Sequence, residues 1–388
     1  MKYTKLKYIN QYKSESINPA KTPDTIFEMY SVPIYETGHP EYLRGHEIAS
    51  NKIVVQKNDI LLCKINPRIN RVWVVSDESD KQNIASSEWI VIRNSEYNSE
   101  FLAWYFRTPK FQKLMTCEVT GIGGSLTRAQ PKYVAEYPVP VIDRKKQDKI
   151  VDVLNKCKFI IDFRQKELLE LDDLIKARFV EMFGDPIQNP KGWDMPLIEE
   201  VVANEKNALK AGPFGSALKK EYYVTSGYKI YGQEQVISGD CTFGDYYIDE
   251  ERYKSLENCA VQAGDVLISL VGTYGKLLIM PEVFEPGIIN PRLMKITFDK
   301  EKINPYYFKF FFQSESLKRA LSENTHGGTM DILNLGIVRK IAMPLPPLKL
   351  QNEFANFVKQ VDKSKVAVRK SMDETQVLFE ALMRRYFV

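Results

Sequence analysis

The chain has 388 residues, 44% of them hydrophobic and 27% charged, with a net charge of +4. This is ordinary globular composition, long enough for two or three domains. The slight basic excess permits nucleic acid without arguing for it, so a binding face has to be a local patch. No apolar run approaches the ~20 residues needed to cross a membrane, and Met1 to Lys5 opens no apolar signal segment. The five cysteines (Cys63, Cys117, Cys157, Cys241, Cys259) fall into no metal-ligand spacing and suit a reducing cytoplasm.

Residues 1–141 read as a mixed domain of short strands. Ile53-Val54-Val55 and Asp59-Ile60-Leu61-Leu62-Cys63 look like strands split by a polar turn, with two more at Arg71–Val75 and Trp89–Ile92. An aromatic helix is predicted over Phe101–Leu114 and a glycine-rich loop over Gly121–Ser125. Tyr137-Pro138-Val139-Pro140 leaves the domain as extended chain, because proline restricts the residue before it.

Residues 142–184 are predicted to form one long helix. Leu154, Ile161, Leu168, Ile175 and Met182 recur every seven places. Ile150, Cys157 and Leu171 fill most of a second stripe, which Arg164 and Arg178 interrupt. Such a seam packs one helix along another. From Lys145 to Phe183, at ~1.5 Å per residue, the helix would run on the order of 55 Å. Gly184 and Pro186 stop it.

Residues 185–345 repeat the first domain's plan, and 346–388 repeat the helix. Ala263–Ile268 echoes Lys57–Leu62, and Tyr306–Leu317 gives a second aromatic helix. Ile289-Asn290-Pro291-Arg292 answers either Ile65-Asn66-Pro67-Arg68 or, by order along the chain, Ser86-Ser87. The final helix carries Val358, Met372, Phe379 and Tyr386 on one stripe, with Lys365 as its exception. Phe354, Val361, Val368 and Leu382 form the other, with Thr375 between them. A shift of 204 places carries Gln147 onto Gln351, Leu174 onto Leu378 and Phe183 onto Phe387. The expected fold is therefore α+β: two similar mixed α/β domains separated by two long antiparallel coiled-coil helices, with pseudo-twofold symmetry. A symmetric DNA reader carries two heads at a spacing set by its scaffold. One chain that imitates a dimer leaves its heads free to differ.

Several local signatures accompany this plan. They are Asp59-Ile60-Leu61-Leu62-Cys63-Lys64-Ile65-Asn66-Pro67-Arg68, Gly212-Pro213-Phe214-Gly215-Ser216-Ala217-Leu218-Lys219, the pair Gly123-Gly124-Ser125 and Gly327-Gly328-Thr329, and Pro346-Pro347-Leu348-Lys349-Leu350-Gln351. Over essentially its whole length the sequence resembles the specificity subunit of type I restriction–modification systems. One departure is that the first domain lacks the Gly192-Trp193 opening of the second, which leaves its N-terminal edge open. The resemblance implies that 1–141 and 185–345 are target recognition domains, each reading one half of a split site in double-stranded DNA. It implies that 142–184 and 346–388 are spacer helices that bind two methyltransferase subunits, with restriction/translocase subunits joining later. Adenine methylation and cleavage would then be the work of those partners, which would hold S-adenosylmethionine, ATP and Mg²⁺, none of them in this chain.

Catalytic patterns are scarce. The three histidines (His39, His46, His326) stand at no metal-ligand spacing. Gly272-Thr273-Tyr274-Gly275-Lys276 misses the phosphate-loop pattern, since no glycine lies five before Gly275 and Leu277 replaces the hydroxyl residue. Ser216-Ala217-Leu218-Lys219 matches an acylation motif whose companion motifs are absent. A binding subunit without an active site is expected.

Candidate DNA contacts follow from residue type. Lys64, Asn66, Arg68 and Arg71 cluster after a strand, where they serve either phosphate and guanine contacts or a solvated strand edge. Lys210, Phe214, Ser216, Lys219 and Lys220 surround a glycine-rich turn, either a phosphate cradle or a plain turn. Arg128 follows the first Gly-Gly loop, which either admits DNA or shapes the entry to the long helix. Tyr274 in the Gly272–Lys276 turn is a further DNA candidate, and Tyr222, Tyr223, Tyr228 and Tyr231 are candidate base contacts. Arg144-Lys145-Lys146 puts positive charge at a helix start, against the helix dipole, and is expected to face DNA or an acidic partner. Leu154, Ile161, Leu168, Ile175, Val358, Met372 and Phe379 carry the helix seam. The rival reading is a scaffold whose domains bind protein, and whose binding would depend only weakly on salt. An autonomous nuclease is a third class, for which no carboxylate cluster is evident.

Overall fold

A computed structural model describes residues 2–76, 78–117, 119–120, 127–270, 275–323 and 333–387. Both Gly-Gly loops, His326 and Tyr274 lie outside the described residues. The chain divides into two compact units, Met1–Gln165 with Lys370–Val388, and Lys166–Arg369.

In the first unit the strands that matter are β1 (Tyr3–Lys5), β2 (Ile26–Tyr30), β3 (Ile60–Cys63), β4 (Val72–Val74), β5 (Gln82–Ala85), β6 (Trp89–Ile92) and β7 (Pro138–Pro140). β3 lies between β4 and β6, antiparallel to both, and all four of its side chains are buried. Alternate residues on a strand point to opposite faces. Ile60 and Leu62 therefore join Phe101, Phe106 and Phe111 in one core, while Leu61 and Cys63 join Tyr30, Trp73 and Trp89 in another. A strand packed on both faces reads as an unbroken apolar run, which is how Ile60–Cys63 reads. In the second sheet β2 runs parallel to β5.

The predicted aromatic helix is two helices, α1 (Ser99–Phe106) and α2 (Pro109–Cys117). Thr108 precedes a proline, which disfavours helical backbone there. Its Oγ1 instead accepts the Phe111 N–H at 3.2 Å and starts α2.

The second unit repeats this frame with β8 (Leu209–Ala211), β9 (Tyr228–Tyr231), β10 (Val266–Ser269), β11 (Leu277–Ile279), β12 (Gly287–Ile289) and β13 (Leu293–Ile296). Here β10 lies between β11 and β13. Val266 and Ile268 face the helical core and Leu267 faces the other. β9 runs parallel to β12, as β2 does to β5. The second aromatic helix is also split, into Pro305–Phe312 and Glu315–Glu323.

β1 pairs with β7 through Thr4 and Val139, and Asp194 pairs in the same manner with Leu345. β1 thus holds the place in the first unit that the segment after Trp193 holds in the second.

Hydrogen bonding places the counterpart of Ile289–Arg292 in the first unit. Asn290 N–H donates to Tyr231 O at 2.8 Å, as Ser86 N–H does to Tyr30 O at 3.1 Å. Leu270 N–H donates to Arg292 O at 2.9 Å, as Lys64 N–H does to Glu88 O at 3.0 Å. Asn290-Pro291-Arg292 is therefore the counterpart of Ser86-Ser87-Glu88, and the likeness to Ile65–Arg68 is local sequence only.

Two helices of 40 residues, Arg144–Phe183 and Leu348–Phe387, complete the units. In the first unit Ile150, Val151 and Leu154 share a core with Phe387, and Trp104 meets Phe379 edge-on with ring centroids 5.4 Å apart. In the second, Ile175, Phe179, Met182 and Phe183 share a core with Phe354, Val358 and Val361. The start of one helix meets the end of the other in the first unit, and the reverse holds in the second, so the pairing is antiparallel. Leu168 is buried, whereas Ile161 and Met372 are half-buried. Lys365, the exception in its stripe, donates to Asp172 Oδ1 at 2.6 Å. Val151 and Phe179 are buried off the predicted seam because they pack against the globular part of their unit.

Candidate nucleic-acid interface

The second unit holds the more developed site. Gly212 leaves β8 with its N–H on Leu293 O at 2.9 Å, and a Cβ there would lie 1.9 Å from Asn290 O. Only glycine fits this approach. Leu218 is buried and anchors the far side of the turn, so the residues between are held outward. Phe214 is 89% exposed, an unusual place for a phenyl ring. Ser216, Lys219 and Lys220 are exposed as well; Lys219 pairs with Glu221 at 3.5 Å, and Lys220 has no ion pair among the described residues. Lys210 is half-buried on β8.

This turn forms one wall of an open cleft of ≈ 950 Å³ whose other walls include Tyr223, Gln233, Tyr246 and Arg292. Gln233 starts a short helix, Gln233–Ser238. Its Nε2 donates to Ser269 Oγ at 2.8 Å, and its Oε1 accepts from Arg292 Nη1 at 3.4 Å. Arg292 is exposed and forms no ion pair among the described residues. The exposed Glu234 carboxylate lines the same cleft, so its charge is mixed with a cationic excess.

The tyrosines divide. Tyr222 lies under the Arg252 guanidinium at 3.7 Å, and Tyr228 stacks on Tyr253 at 3.8 Å. Tyr223 faces Tyr246 with centroids 5.7 Å apart on the cleft wall. Tyr231, expected among the base contacts, is instead fully buried, donates to Glu285 O at 2.5 Å, and burial pushes its hydroxyl far above the usual phenol range. It lies in the parallel strand β9 and is core, not a base contact.

In the first unit Asn66 adopts a left-handed φ of 48° and makes the turn that puts Arg68 into solvent. Asn66 N–H donates to Thr127 O at 2.8 Å, tying this turn to the segment carrying Arg128. Lys64 and Arg68 form no ion pair among the described residues. Arg71 is withdrawn, its side chain 18% exposed and 4.0 Å from Glu36. Arg128 donates to both Glu88 oxygens at 3.2 Å. Thus the turn that carries Arg292 in the second unit carries a carboxylate in the first. At the helix start, Arg144 pairs with Asp148 at 3.0 Å.

Two motif residues prove structural. Asp59 is buried, accepts Gln56 N–H at 2.9 Å and pairs with Arg93 at 2.6 Å. Asp265 repeats this, accepting Gln262 N–H at 3.0 Å and pairing with Lys295 at 3.3 Å. Among the described residues no cluster of His, Cys, Asp or Glu could hold a metal ion, and no helix is long and apolar enough to cross a membrane. His39 meets Glu78 at 3.2 Å, and His46 meets a backbone carbonyl.

Residues 190–375 match the family described as the type I restriction modification DNA specificity domain. The chain is 21% identical to the type I restriction enzyme MjaVIII specificity subunit of Methanocaldococcus jannaschii, over 97% of this chain and 89% of that protein. It is 20% identical to the putative MjaX specificity subunit of the same organism, over 91% and 82%. Among solved structures, a chain from work on complex assembly and conformational transition of the type I R-M system aligns with a TM-score of 0.60 at 18% identity, covering 100% of this chain and 97% of that one. The type I S subunit from M. genitalium aligns with a TM-score of 0.58 at 12% identity, covering 100% and 96%. At these identities the two solved chains speak for the fold alone.

Proposed function

We infer that the chain is a specificity subunit of a type I restriction–modification system, which reads a two-part site in duplex DNA and directs partner subunits to it. The observation that carries this is the match to a curated specificity subunit over 97% of the chain, which takes in both units. The scaffold reading is not favoured.

In finer detail we propose that 1–141 and 185–345 each read one half-site and that 142–184 and 346–388 set the spacer between them. Lys64 and Arg68 in one unit, and Lys220 with the Gly212 turn in the other, would meet phosphates; such contacts place a protein on DNA without reading sequence. Methylation and cleavage, with their S-adenosylmethionine, ATP and Mg²⁺, would belong to methyltransferase and translocase subunits in the cytoplasm, this chain being non-catalytic.

Two like methyltransferase subunits fit an apolar feature that occurs once per unit. Leu378 in the first unit and Leu174 in the second are counterparts under the 204-place shift, and both are exposed, 52% and 48%. Phe159 and Phe163 stack at 6.1 Å on the first unit's helix and are exposed too. A helix face of this kind is a surface for a protein partner.

The test is binding of the full chain, with and without methyltransferase partners, to a randomised duplex library at graded salt. A protein making six to ten phosphate contacts loses about 10³–10⁵ in affinity between 50 and 200 mM salt. Salt-insensitive binding, or no enriched sequence, refutes the reading. Exchanging 185–345 for the same segment of another such subunit should then replace one half-site and leave the other.

A further inference from the structure

We propose that Arg292, steadied by Gln233, reads a guanine in the half-site of the second unit. The proposal rests on the DNA-reading function above and deepens it.

Asn290–Arg292 is tied on every side: Asn290 N–H to Tyr231 O, Leu293 N–H to Asn290 O at 3.1 Å, Leu270 N–H to Arg292 O, and Gly212 N–H to Leu293 O. Two glycines press against it. Gly212 leaves 1.9 Å between a would-be Cβ and Asn290 O, and Gly232 leaves 2.7 Å to Asn290 Nδ2. Arg292 N–H adds a bond to Asn290 Oδ1 at 2.9 Å. The Cα of Arg292 is thus fixed while its guanidinium lies exposed at the cleft.

The side chain is steadied in its turn. Ser269 is buried and accepts Gln233 Nε2, which turns Gln233 Oε1 toward Arg292 Nη1. An arginine held by a neutral amide keeps its charge unspent and its remaining N–H groups available. In the first unit the same turn presents Glu88, committed to Arg128. A rigid loop that offers an unpaired guanidinium in one unit and a neutralised carboxylate in the other differs where two half-sites must differ. Arginine donates two N–H groups in a fixed fork to guanine O6 and N7, which no other base pair offers in the major groove. Lysine keeps the charge and loses the fork.

The experiment is library selection with the full chain and its Arg292→Lys, Arg292→Ala and Gln233→Ala variants, read as base frequencies by position. Wild type should prefer guanine at one position of the half-site that the 185–345 exchange assigns to the second unit. Arg292→Lys and Arg292→Ala should cut that preference about 5- to 140-fold, the range of one bidentate pair, with other positions unchanged. Gln233→Ala should weaken the same position less. Arg292→Ala that lowers affinity evenly across sequences and flattens the salt slope makes Arg292 a phosphate contact and overturns the proposal. So does loss of a base from the other half-site. A wild-type chain that enriches nothing overturns the DNA reading itself, an outcome distinct from both.

Discussion

Replacing Gln351 by alanine should unfasten the second unit from its helix and leave the first unit alone. Gln351 is fully buried and makes three bonds: Oε1 accepts Asn304 N–H at 2.9 Å, and Nε2 donates to Lys302 O at 2.9 Å and Pro346 O at 2.8 Å. Alanine strands one donor and two acceptors. At the low end of the cost of a buried unpaired group, about 1 kcal/mol each, the unit loses about 3 kcal/mol. Gln147 is its counterpart and makes two such bonds, to Asn98 N–H at 2.8 Å and Ile142 O at 2.7 Å, so Gln147→Ala should cost the first unit about 2 kcal/mol. For a unit of this size each kcal/mol moves the melting point by about 2–4 °C. Hydrogen exchange resolved by peptide is the assay, because it reports each unit's opening separately. Gln351→Ala should speed exchange in Pro305–Phe312, whose N-cap Asn304 it releases, and spare Ser99–Phe106. Equal losses in both helices, or less than about 1 kcal/mol in the second, would refute the idea that each glutamine fastens its own unit.

Three further outcomes are expected. Asp265→Ala leaves Lys295, 7% exposed, buried without its partner and should cost about 3–5 kcal/mol. Asp59→Ala leaves Arg93, 29% exposed and able to reach water, and should cost less; chemical denaturation compares the two. Phe159→Glu with Phe163→Glu should weaken methyltransferase co-purification at least about tenfold while moving stability by no more than about 0.5 kcal/mol, as exposed positions allow. Gly212→Ala drives its Cβ into Asn290 O and should abolish enrichment of one half-site in library selection while the other persists.

Much of this molecule is legible in its sequence where a physical period or a duplicated marker fixes it. The seven-residue recurrence from Leu154 to Met182 marks a helix that must be covered, and the structure covers it in both units. The echo of Gln147 in Gln351 marks the two fasteners, although their hydrogen bonds are not visible in it. What escapes is whatever depends on distant partners. Arg71 and Arg128 look like free cations until Glu36 and Glu88 are brought to them. Tyr231 looks like a surface tyrosine until its strand is placed beside a parallel neighbour. The split of each aromatic helix turns on a cap at Thr108 or Ser314, a contact worth little in composition and decisive for backbone. Gln233 and Arg292 are 59 places apart and belong to no local pattern. The one available signal was that Arg292 sits in a segment with two possible counterparts.

That ambiguity has a physical origin. The turn after the parallel strand is specified by main-chain bonds, Asn290 N–H to Tyr231 O and Ser86 N–H to Tyr30 O, and main-chain bonds ask little of side-chain identity. Selection on the frame therefore leaves the outward residue free to be Glu88 in one unit and Arg292 in the other. The inward residues have no such freedom. Asp59 and Asp265 must each satisfy a turn N–H and a buried cation, and the glycine at 212 must admit a carbonyl. A frame duplicated this way keeps its likeness in the positions that bond inward and loses it in those that point outward. Low identity between the halves is then what one repeated frame permits wherever its main-chain bonds, and not its side chains, hold it.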